Sequence, residues 1–398
     1  MRALLLENIH PDAADLLRES GHQVETVDHA LEEAELVERL AGVQLLGIRS
    51  TTFVTEKVLS EATDLQAIGA FCIGTNQIDL PAATGHGVAV FNAPYSNTRS
   101  VVEIAIGNLI ALARRLTEKN AAMHAGVWDK SAKGSHEIRG RSLGIVGYGN
   151  IGSQLSVLGE ALGMRVYFYD TDDKLAIGNA VRCGSLTELL ETAEVVSLHV
   201  DGRPGNRDMF GETEFAAMRP RAIFMNLSRG FVVDHDSLRR HIESGHIAGA
   251  AIDVFPTEPK RQGDPFESQL RGLPNVILTP HIGGSTQEAQ EDIGRFVAGK
   301  LRGYAQDGAT SLSVNLPSIP VGDIQGSHRL AHVHRNVPGV LAKVNALFAE
   351  YGVNVDSQTL STRGEVGYLL TDVNADYSPA MVERLEEMPE TIRLRVLS

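Results

Sequence analysis

The sequence predicts an α/β protein with two doubly wound parallel-sheet domains and a smaller C-terminal βαββαβ domain. Three observations carry this. Short apolar runs alternate with helix-forming segments through most of the 398 residues, the pattern of parallel strands joined by crossover helices. A glycine-rich run, Gly147-Tyr-Gly149-Asn150-Ile151-Gly152, interrupts the alternation near its middle. The tail of about 70 residues beyond position 326 reads strand, helix, strand, strand, helix, strand, which is the ferredoxin-like order.

Taken in order, the first stretch places strands at 3–6, 45–48, 65–68 and 88–91, with helices over 12–20, 32–40 and 55–62 between them. A long amphipathic helix over 100–116 follows, its start marked by the N-cap-rich Ser96-Asn97-Thr98. Strands at 143–146, 165–170, 195–200, 222–226, 248–254 and 276–279 then form a second sheet, with helices such as 237–244 between them. After Pro280 a helix over 287–304 returns to the first half. The run from Asn315 to Gly326 is rich in Pro and Gly and predicts a hinge rather than a packed element. In the tail, strands fall at 330–334, 353–360, 366–373 and 392–397, and helices run from Pro338-Gly339 to 351 and over 379–387. The expected domains are residues 1–97 with 284–325, residues 98–283, and residues 327–398.

Composition narrows the function. A formal net charge of −14 argues against nucleic acid and against an anionic membrane as partners. No uncharged apolar run approaches the roughly 20 residues needed to span a bilayer, and Met1-Arg-Ala-Leu-Leu-Leu-Glu7 reads as a strand rather than a signal peptide. Cys72 and Cys183 lie too far apart for a disulfide framework or a metal spacing, and each is expected to be a buried small hydrophobe. These features suit a cytoplasmic protein with no metal. If its substrate is an anion, the chain needs a local basic cluster against its overall negative field.

The glycine run sits where a dinucleotide fingerprint requires it. It follows the apolar run 143–146, opens a helix, and is followed eighteen positions after Gly152 by Asp170, which ends the next apolar run. Gly147 permits the tight turn, Gly149 admits a pyrophosphate to the backbone, and Gly152 lets helix and strand pack closely. The helix N-terminus supplies N–H donors and positive dipole. A carboxylate at Asp170 accepts hydrogen bonds from ribose hydroxyls and repels a 2′-phosphate, and the nearest cation in sequence is Lys174, so NAD is expected rather than NADP.

A nicotinamide that exchanges hydride with a hydroxyl carbon needs a proton acceptor and a cation for the substrate's carboxylate. Three loops after successive strands offer them: Arg229 in 226–230, Glu258 in 253–259 and His281 in 279–285. Singly, each could be an N-cap, a surface ion pair or a core histidine. Together, behind a dinucleotide fingerprint, they form an acid/base histidine, a carboxylate that orients it and raises its pKa, and a bidentate anion grip.

These loops, with Phe71-Cys-Ile-Gly-Thr-Asn-Gln-Ile-Asp79, Phe91-Asn-Ala-Pro-Tyr-Ser-Asn-Thr-Arg-Ser100 and the motif that runs from His281 to Gln290, carry a resemblance across essentially the whole chain. The sequence resembles the D-isomer-specific 2-hydroxyacid dehydrogenases, and among them the branch with one C-terminal ACT domain. The resemblance implies two Rossmann-like domains, the discontinuous first one binding substrate and residues 98–283 binding NAD. It implies oxidation of 3-phospho-D-glycerate to 3-phosphohydroxypyruvate, the first step of L-serine synthesis, with 2-oxoglutarate reduction as a possible side activity. Catalysis would rest on Arg229, Glu258 and His281. Cofactor contacts would come from the fingerprint, Asp170, His199, Ser228, Asp253, His281 and Gly284. Substrate contacts would come from Arg49, Ser50, Ile73, Gly74, Asn97, Lys130, Arg229 and Gln290. His334, Asn336 and Asn354 match an effector site for L-serine between paired ACT domains, and Trp128 matches a subunit contact, which implies a homo-oligomer, in this branch a tetramer. Read only as polar residues, the first three would form turns and caps, and Trp128 would be an ordinary buried aromatic. The chain departs from the pattern at Thr51, where a second Arg is common, near Asp28, where a basic residue is expected, at Asp201, where proline is usual, and at Gly326-Ser327, where a Gly-Gly pair is common. Thr51 keeps open a dehydrogenase for another D-2-hydroxy acid. An NAD-sensing binding protein of the same fold is the alternative from another class.

Overall fold

A computed structural model describes residues 1–259, 263–321, 328–374 and 379–397. The chain divides into two compact units, Met1–Ser96 with Gln290–Ser398, and Asn97–Ala289. The first unit opens with β1 (Arg2–Leu5), α1 (Pro11–Glu19), β2 (Gln23–Thr26), α2 (Glu33–Arg39), β3 (Leu45–Ile48), α3 (Glu56–Glu61), β4 (Ala67–Ala70), α4 (Leu80–Gly85) and β5 (Ala89–Asn92). The five strands are parallel in the order β2-β1-β3-β4-β5. β3 and β4 are buried along their whole length, and so they read as unbroken apolar runs. The largely exposed β2 and the six-residue α4 lack that signal, and sequence periodicity missed both.

The second unit holds α5 (Thr98–Ala113), α6 (Leu116–His124), β6 (Ser142–Val146), α7 (Asn150–Ala161), β7 (Arg165–Tyr169), β8 (Val181–Arg182), α8 (Leu186–Thr192) and β9 (Val195–Leu198). It continues with α9 (Glu212–Ala217), β10 (Ala222–Asn226), α10 (His235–Glu243), β11 (Ile247–Ile252) and β12 (Val276–Leu278). Its seven parallel strands lie in the order β12-β11-β10-β9-β6-β7-β8. The winding reverses between the neighbours β6 and β9, and in such sheets ligands bind beyond the strand C-termini at that switch point. The helix expected over 100–116 is α5, which ends at Ala113, and a second helix, α6, that sequence reasoning did not place follows it. Arg115 takes a left-handed conformation (φ 51°) and ends the run. There its guanidinium donates to Glu118 Oε1 at 2.8 Å. α5 buries Val101, Val102, Ala105, Leu109 and Leu112, whereas α6 buries nothing.

The remainder comprises α11 (Gln287–Asp307), β13 (His328–Arg335), α12 (Val340–Glu350), β14 (Val355–Arg363), β15 (Val366–Val373), α13 (Pro379–Glu386) and β16 (Thr391–Leu397). The antiparallel sheet β14-β15-β13-β16 has the βαββαβ connectivity. Its helix-covered face buries Leu330, Val344, Phe348, Leu369 and Leu385. Its other face joins the core that contains Phe91, Leu301 and Tyr304, to which it adds Ala331, Val333, Tyr368 and Leu370. Polar anchors reinforce that contact. Arg395 donates to the carbonyls of Tyr304 (2.9 Å) and Ala305 (3.2 Å), Arg329 to that of Asp307 (3.0 Å), and the Tyr368 hydroxyl to that of Gly308 (2.7 Å). The last carbonyls of a helix run out of backbone donors; that of Tyr304 still accepts from Gly308 N (3.1 Å), and cations suit the negative dipole end. Arg329 is itself paired in a fork with Asp372 at 2.6 and 2.9 Å, deep in the interior.

The hinge expected from Asn315 onward is packed as far as it is described. Asn315 accepts from Val90 N (2.8 Å) and donates to Val88 O (2.8 Å), so it satisfies the edge of the first sheet. Leu316 and Ile319 are buried. Pro removes a backbone donor and Gly loosens the chain, but here the Asn315 amide supplies the sheet edge with both a donor and an acceptor, which composition could not reveal. Residues 322–327, with Gly326-Ser327 and the boundary placed there, lie outside the described residues.

Removing one partner of a buried pair strands the other's charge. Asp372→Ala is therefore expected to cost about 3–5 kcal/mol in chemical denaturation, and the double variant Arg329→Met/Asp372→Leu should recover most of that. Equal losses in both variants would show that the pair is not the source of the effect.

Candidate active site

The three expected residues sit on loops at the C-terminal ends of β10, β11 and β12, all within the second unit. β10 ends at Asn226, a fully buried residue that sequence reasoning passed over. Its side chain accepts from Ser228 N (3.0 Å) and Ser228 Oγ (2.8 Å) and donates to Arg229 O (3.0 Å), and so shapes the turn that carries Arg229. Arg229 is half-buried, with one guanidinium N–H on the Ser228 carbonyl at 2.7 Å. The next residue, Gly230, is pressed against the Phe255 backbone so closely that a Cβ would fall 1.9 Å from its carbonyl carbon. Only glycine fits there, and the contact locks the Arg229 loop to the Glu258 loop.

His281 has a left-handed backbone (φ 54°), a conformation that L-residues hold only when the surroundings impose it. Asp253 imposes it. Its carbonyl accepts from His281 N (2.8 Å), Oδ1 accepts from Ile282 N (2.9 Å) and Thr279 Oγ1 (2.6 Å), and Oδ2 accepts from Gly283 N (2.8 Å). The turn presents the imidazole to Glu258, whose Oε2 meets Nδ1 at 2.9 Å while Oε1 accepts from Phe255 N at 3.1 Å. Both side chains remain reachable from solvent.

The electrostatics follow. The Glu258 hydrogen bond raises the His281 pKa, burial opposes it, and the charges of Glu258 and Asp253 add to the rise while Arg229 lowers it. Burial pushes the Glu258 carboxyl up. The His281 hydrogen bond and charge, the Phe255 N–H and Arg229 outweigh that and hold it below its ordinary value. Nδ1 faces a carboxylate, so it carries a proton, and Nε2 is the nitrogen left to exchange one with a ligand.

At the fingerprint, Gly147 has φ 91°, and a Cβ there would lie 2.7 Å from the His199 carbonyl. A Cβ on Gly152 would lie 2.2 Å from Gly147 O, whereas nothing lies within 4 Å of the same point on Gly149. The turn is thus closed on the protein side and open where a diphosphate would approach. α7 starts at Asn150, with Ile151 and Gly152 in its first turn. Asp170 accepts from Tyr148 N (2.7 Å) and Asp172 N (2.9 Å) and lines a cleft of about 360 Å³ with Tyr169, Thr171, Arg182, Cys183 and Gly184. Besides Lys174, the nearest cation in sequence, Arg182 lies at this cleft. Each cation is taken up by an acid, Arg182 by Asp173 and Lys174 by Asp172. His199 bonds Ser197 Oγ at 2.8 Å, and burial lowers its pKa to about 4. Asn97 packs on Gly284, and Ser100 Oγ meets Thr286 Oγ1 at 2.8 Å beside it.

In the first unit Glu7, also unforeseen, accepts from the backbone N–H groups of Arg49 (3.1 Å), Thr51 (3.0 Å) and Thr52 (2.9 Å) and so holds the Arg49-Ser50 loop. Gln77 donates to Arg49 O (2.6 Å) and Gly74 O (3.3 Å), and Asn92 to Ile73 O (2.6 Å), fixing the 73–74 loop. Gln290 is half-buried in α11. Cys72 is half-buried in that loop rather than buried, with its thiol toward Gly74 O at 3.1 Å. Cys183 is buried, and its thiol pKa rises to about 11. Lys130 is exposed, and Trp128 is 72% exposed rather than an interior aromatic. In the tail His334 is buried, with Nδ1 on Arg335 O at 2.9 Å and Nε2 without a partner among the described residues, while Asn336 and Asn354 are exposed. Among the described residues no cluster of three or more potential ligands could hold a metal, and no helix is long and apolar enough to cross a membrane.

Residues 106–283 match the family model described as D-isomer specific 2-hydroxyacid dehydrogenase, NAD binding domain, and residues 330–393 match an AHAS small subunit-like ACT domain. The chain is 49% identical to D-3-phosphoglycerate dehydrogenase of Escherichia coli (strain K12), over 100% of this chain and 97% of that protein. The chain belongs to the D-isomer-specific 2-hydroxyacid dehydrogenases. The Haemophilus influenzae D-3-phosphoglycerate dehydrogenase is 47% identical to it over 100% and 97% of the two chains. A solved D-lactate dehydrogenase from Aquifex aeolicus, in complex with NAD and lactic acid, aligns with a TM-score of 0.67 and 25% identity over 76% of this chain and 95% of its own. This dehydrogenase uses NAD, and the open Gly149 turn and the Asp170 carboxylate fit that cofactor.

In oxidation the neutral imidazole is the proton acceptor. Glu258 raises its pKa, so Glu258→Gln should lower it and move the rising limb of log kcat/KM to lower pH, while kcat falls about ten- to a hundredfold. The pH–rate profile checks both, and a limb that stays in place would remove Glu258 from this role.

Proposed function

We propose that this dehydrogenase oxidises 3-phospho-D-glycerate to 3-phosphohydroxypyruvate, the first step of L-serine synthesis. The Glu258–His281 hydrogen bond carries the chemical part of the reading, and the full-length similarity to D-3-phosphoglycerate dehydrogenases carries the choice of hydroxy acid. His281 Nε2 accepts the C2 hydroxyl proton, and Glu258 stabilises the imidazolium that results. Arg229 grips the substrate carboxylate and polarises the C2 oxygen. Bound NAD supplies the hydride acceptor. Arg49 and Lys130 meet the phosphate with help from the N–H groups near Ile73 and Gly74, and Asn97 and Gln290 complete the substrate contacts. Ser228, Asp253, His199 and Gly284 border the cofactor. Thr51 leaves one cation fewer than the family commonly has for the phosphate, so reduction of unphosphorylated 2-oxo acids such as 2-oxoglutarate is a secondary activity.

His334, Asn336 and Asn354 form an L-serine site. The buried, unpartnered Nε2 of His334 supports this, since an effector's polar group would satisfy it. The protein acts as a cytoplasmic homotetramer, and the exposed Leu116, Met123, Val127 and Trp128 on and after α6 support self-association.

His281→Ala is expected to cut turnover more than tenfold while the NADH dissociation constant, set mainly by the fingerprint and Asp170, changes far less. Unchanged turnover would exclude the role. NADH consumption should be much faster with 3-phosphohydroxypyruvate than with hydroxypyruvate, and millimolar L-serine should suppress it. Indifference to the phosphate would reassign the substrate, and indifference to serine would assign the tail to assembly.

A further inference from the structure

The loop after β9 carries Asp201-Gly202-Arg203, which departs from the family pattern at Asp201 and which the reaction does not use. It lies at the switch point of the seven-stranded sheet, beside the fingerprint loop after β6. Its first residues are packed on that loop: a Cβ on Gly147 would fall 2.7 Å from the His199 carbonyl and 2.9 Å from Val200 N. Its far side meets the Arg229 loop, where a Cβ on Gly202 would lie 3.4 Å from Arg229 Nε. Asp201 to Arg203 therefore bridges the phosphate turn and the substrate-gripping arginine.

The segment is held from within. Arg203 Nε and Nη2 donate in a fork to Asp201 Oδ1 (2.8 Å) and Oδ2 (2.6 Å). Asp201 Oδ1 also accepts from Arg203 N (3.2 Å) and Asn206 Nδ2 (3.0 Å). Arg203 is more than half exposed, and its Nη1 has no hydrogen-bond partner among the described residues. Its pKa is raised by Asp201 first, with smaller contributions from Asp172 and Asp170, so the guanidinium lies in the field of the carboxylates at the ribose end. The other cations at the ribose end, Lys174 and Arg182, are taken up by Asp172 and Asp173. A dianionic diphosphate entering a crevice bordered by Asp170, Asp172 and Asp201 needs a countercharge with an open donor.

We propose that Arg203 is a cofactor-contacting cation at the lip of the dinucleotide crevice, serving the diphosphate, and that Asp201 positions it. The forked pair limits the rotamers Arg203 samples, so less ordering is needed when an anion arrives. The proposal rests on the NAD assignment and not on the choice of hydroxy acid, so binding to enzyme without substrate tests it separately.

The test is calorimetric titration of the full-length enzyme with ADP-ribose, NADH and adenosine. Arg203→Gln should raise the Kd for ADP-ribose and NADH about three- to tenfold at low salt, and Arg203→Lys should recover most of it. The difference should narrow in about 0.5 M salt. Asp201→Asn should give a smaller loss for the same two ligands, and adenosine, which has no diphosphate, should bind all variants alike. An ADP-ribose Kd within twofold of wild type in Arg203→Gln, or an equal loss for adenosine, would overturn the proposal.

Discussion

A histidine held in the left-handed backbone region must be held by its surroundings, and here one buried carboxylate does it. Asp253 gives both side-chain oxygens and its carbonyl to the turn between Thr279 and Gly283. Without those bonds His281 would relax toward ordinary φ, and its imidazole would leave Glu258. Charge–charge attraction alone could not substitute, because the Glu258 and His281 side chains are partly open to water, which screens them. The value of the Asp253 clamp is geometric. It keeps the Glu258 bond formed before any substrate arrives, which is the preorganisation that acid/base catalysis depends on.

The same logic recurs in the supporting shell. Asn226 shapes the Arg229 turn, Gly230 seats that turn against Phe255, and Glu7 gathers three N–H groups behind Arg49. Arg229, His281 and Arg49 are thus presented by loops whose backbone N–H groups are already taken up by side-chain acceptors. The buried Arg329–Asp372 pair and Arg395 do comparable work at the end of α11, where they supply donors to the carbonyls of Ala305 and Asp307.

Much of this was legible in the sequence, for identifiable reasons. Fully buried parallel strands such as β3 and β4 announce themselves as apolar runs, and the fingerprint needs only local spacing to be recognised. The loops of Arg229, Glu258 and His281 were legible because the Rossmann-like topology gathers strand ends. What stayed hidden depended on contacts distant in sequence or on single backbone angles. The break at Arg115 lies inside an otherwise helical pattern. Asn315 packs a Pro-rich segment by bonding to Val88 and Val90, more than 200 residues away. Glu7 looked like the end of a strand, and its three acceptor bonds reach residues more than 40 positions on. The Asp201–Arg203 fork was visible only as an odd substitution until its neighbours could be seen.

The proposed reaction turns on a His281 imidazole whose proton affinity is raised by Glu258. The most direct measurement is the His281 pKa itself, followed by nitrogen-15 NMR on histidine-labelled enzyme free of substrate. The expected result is a value above the ordinary imidazole value of about 6.5, with Nδ1 carrying the proton in the neutral form. A value at or below the ordinary one, or a neutral form protonated on Nε2, would contradict it.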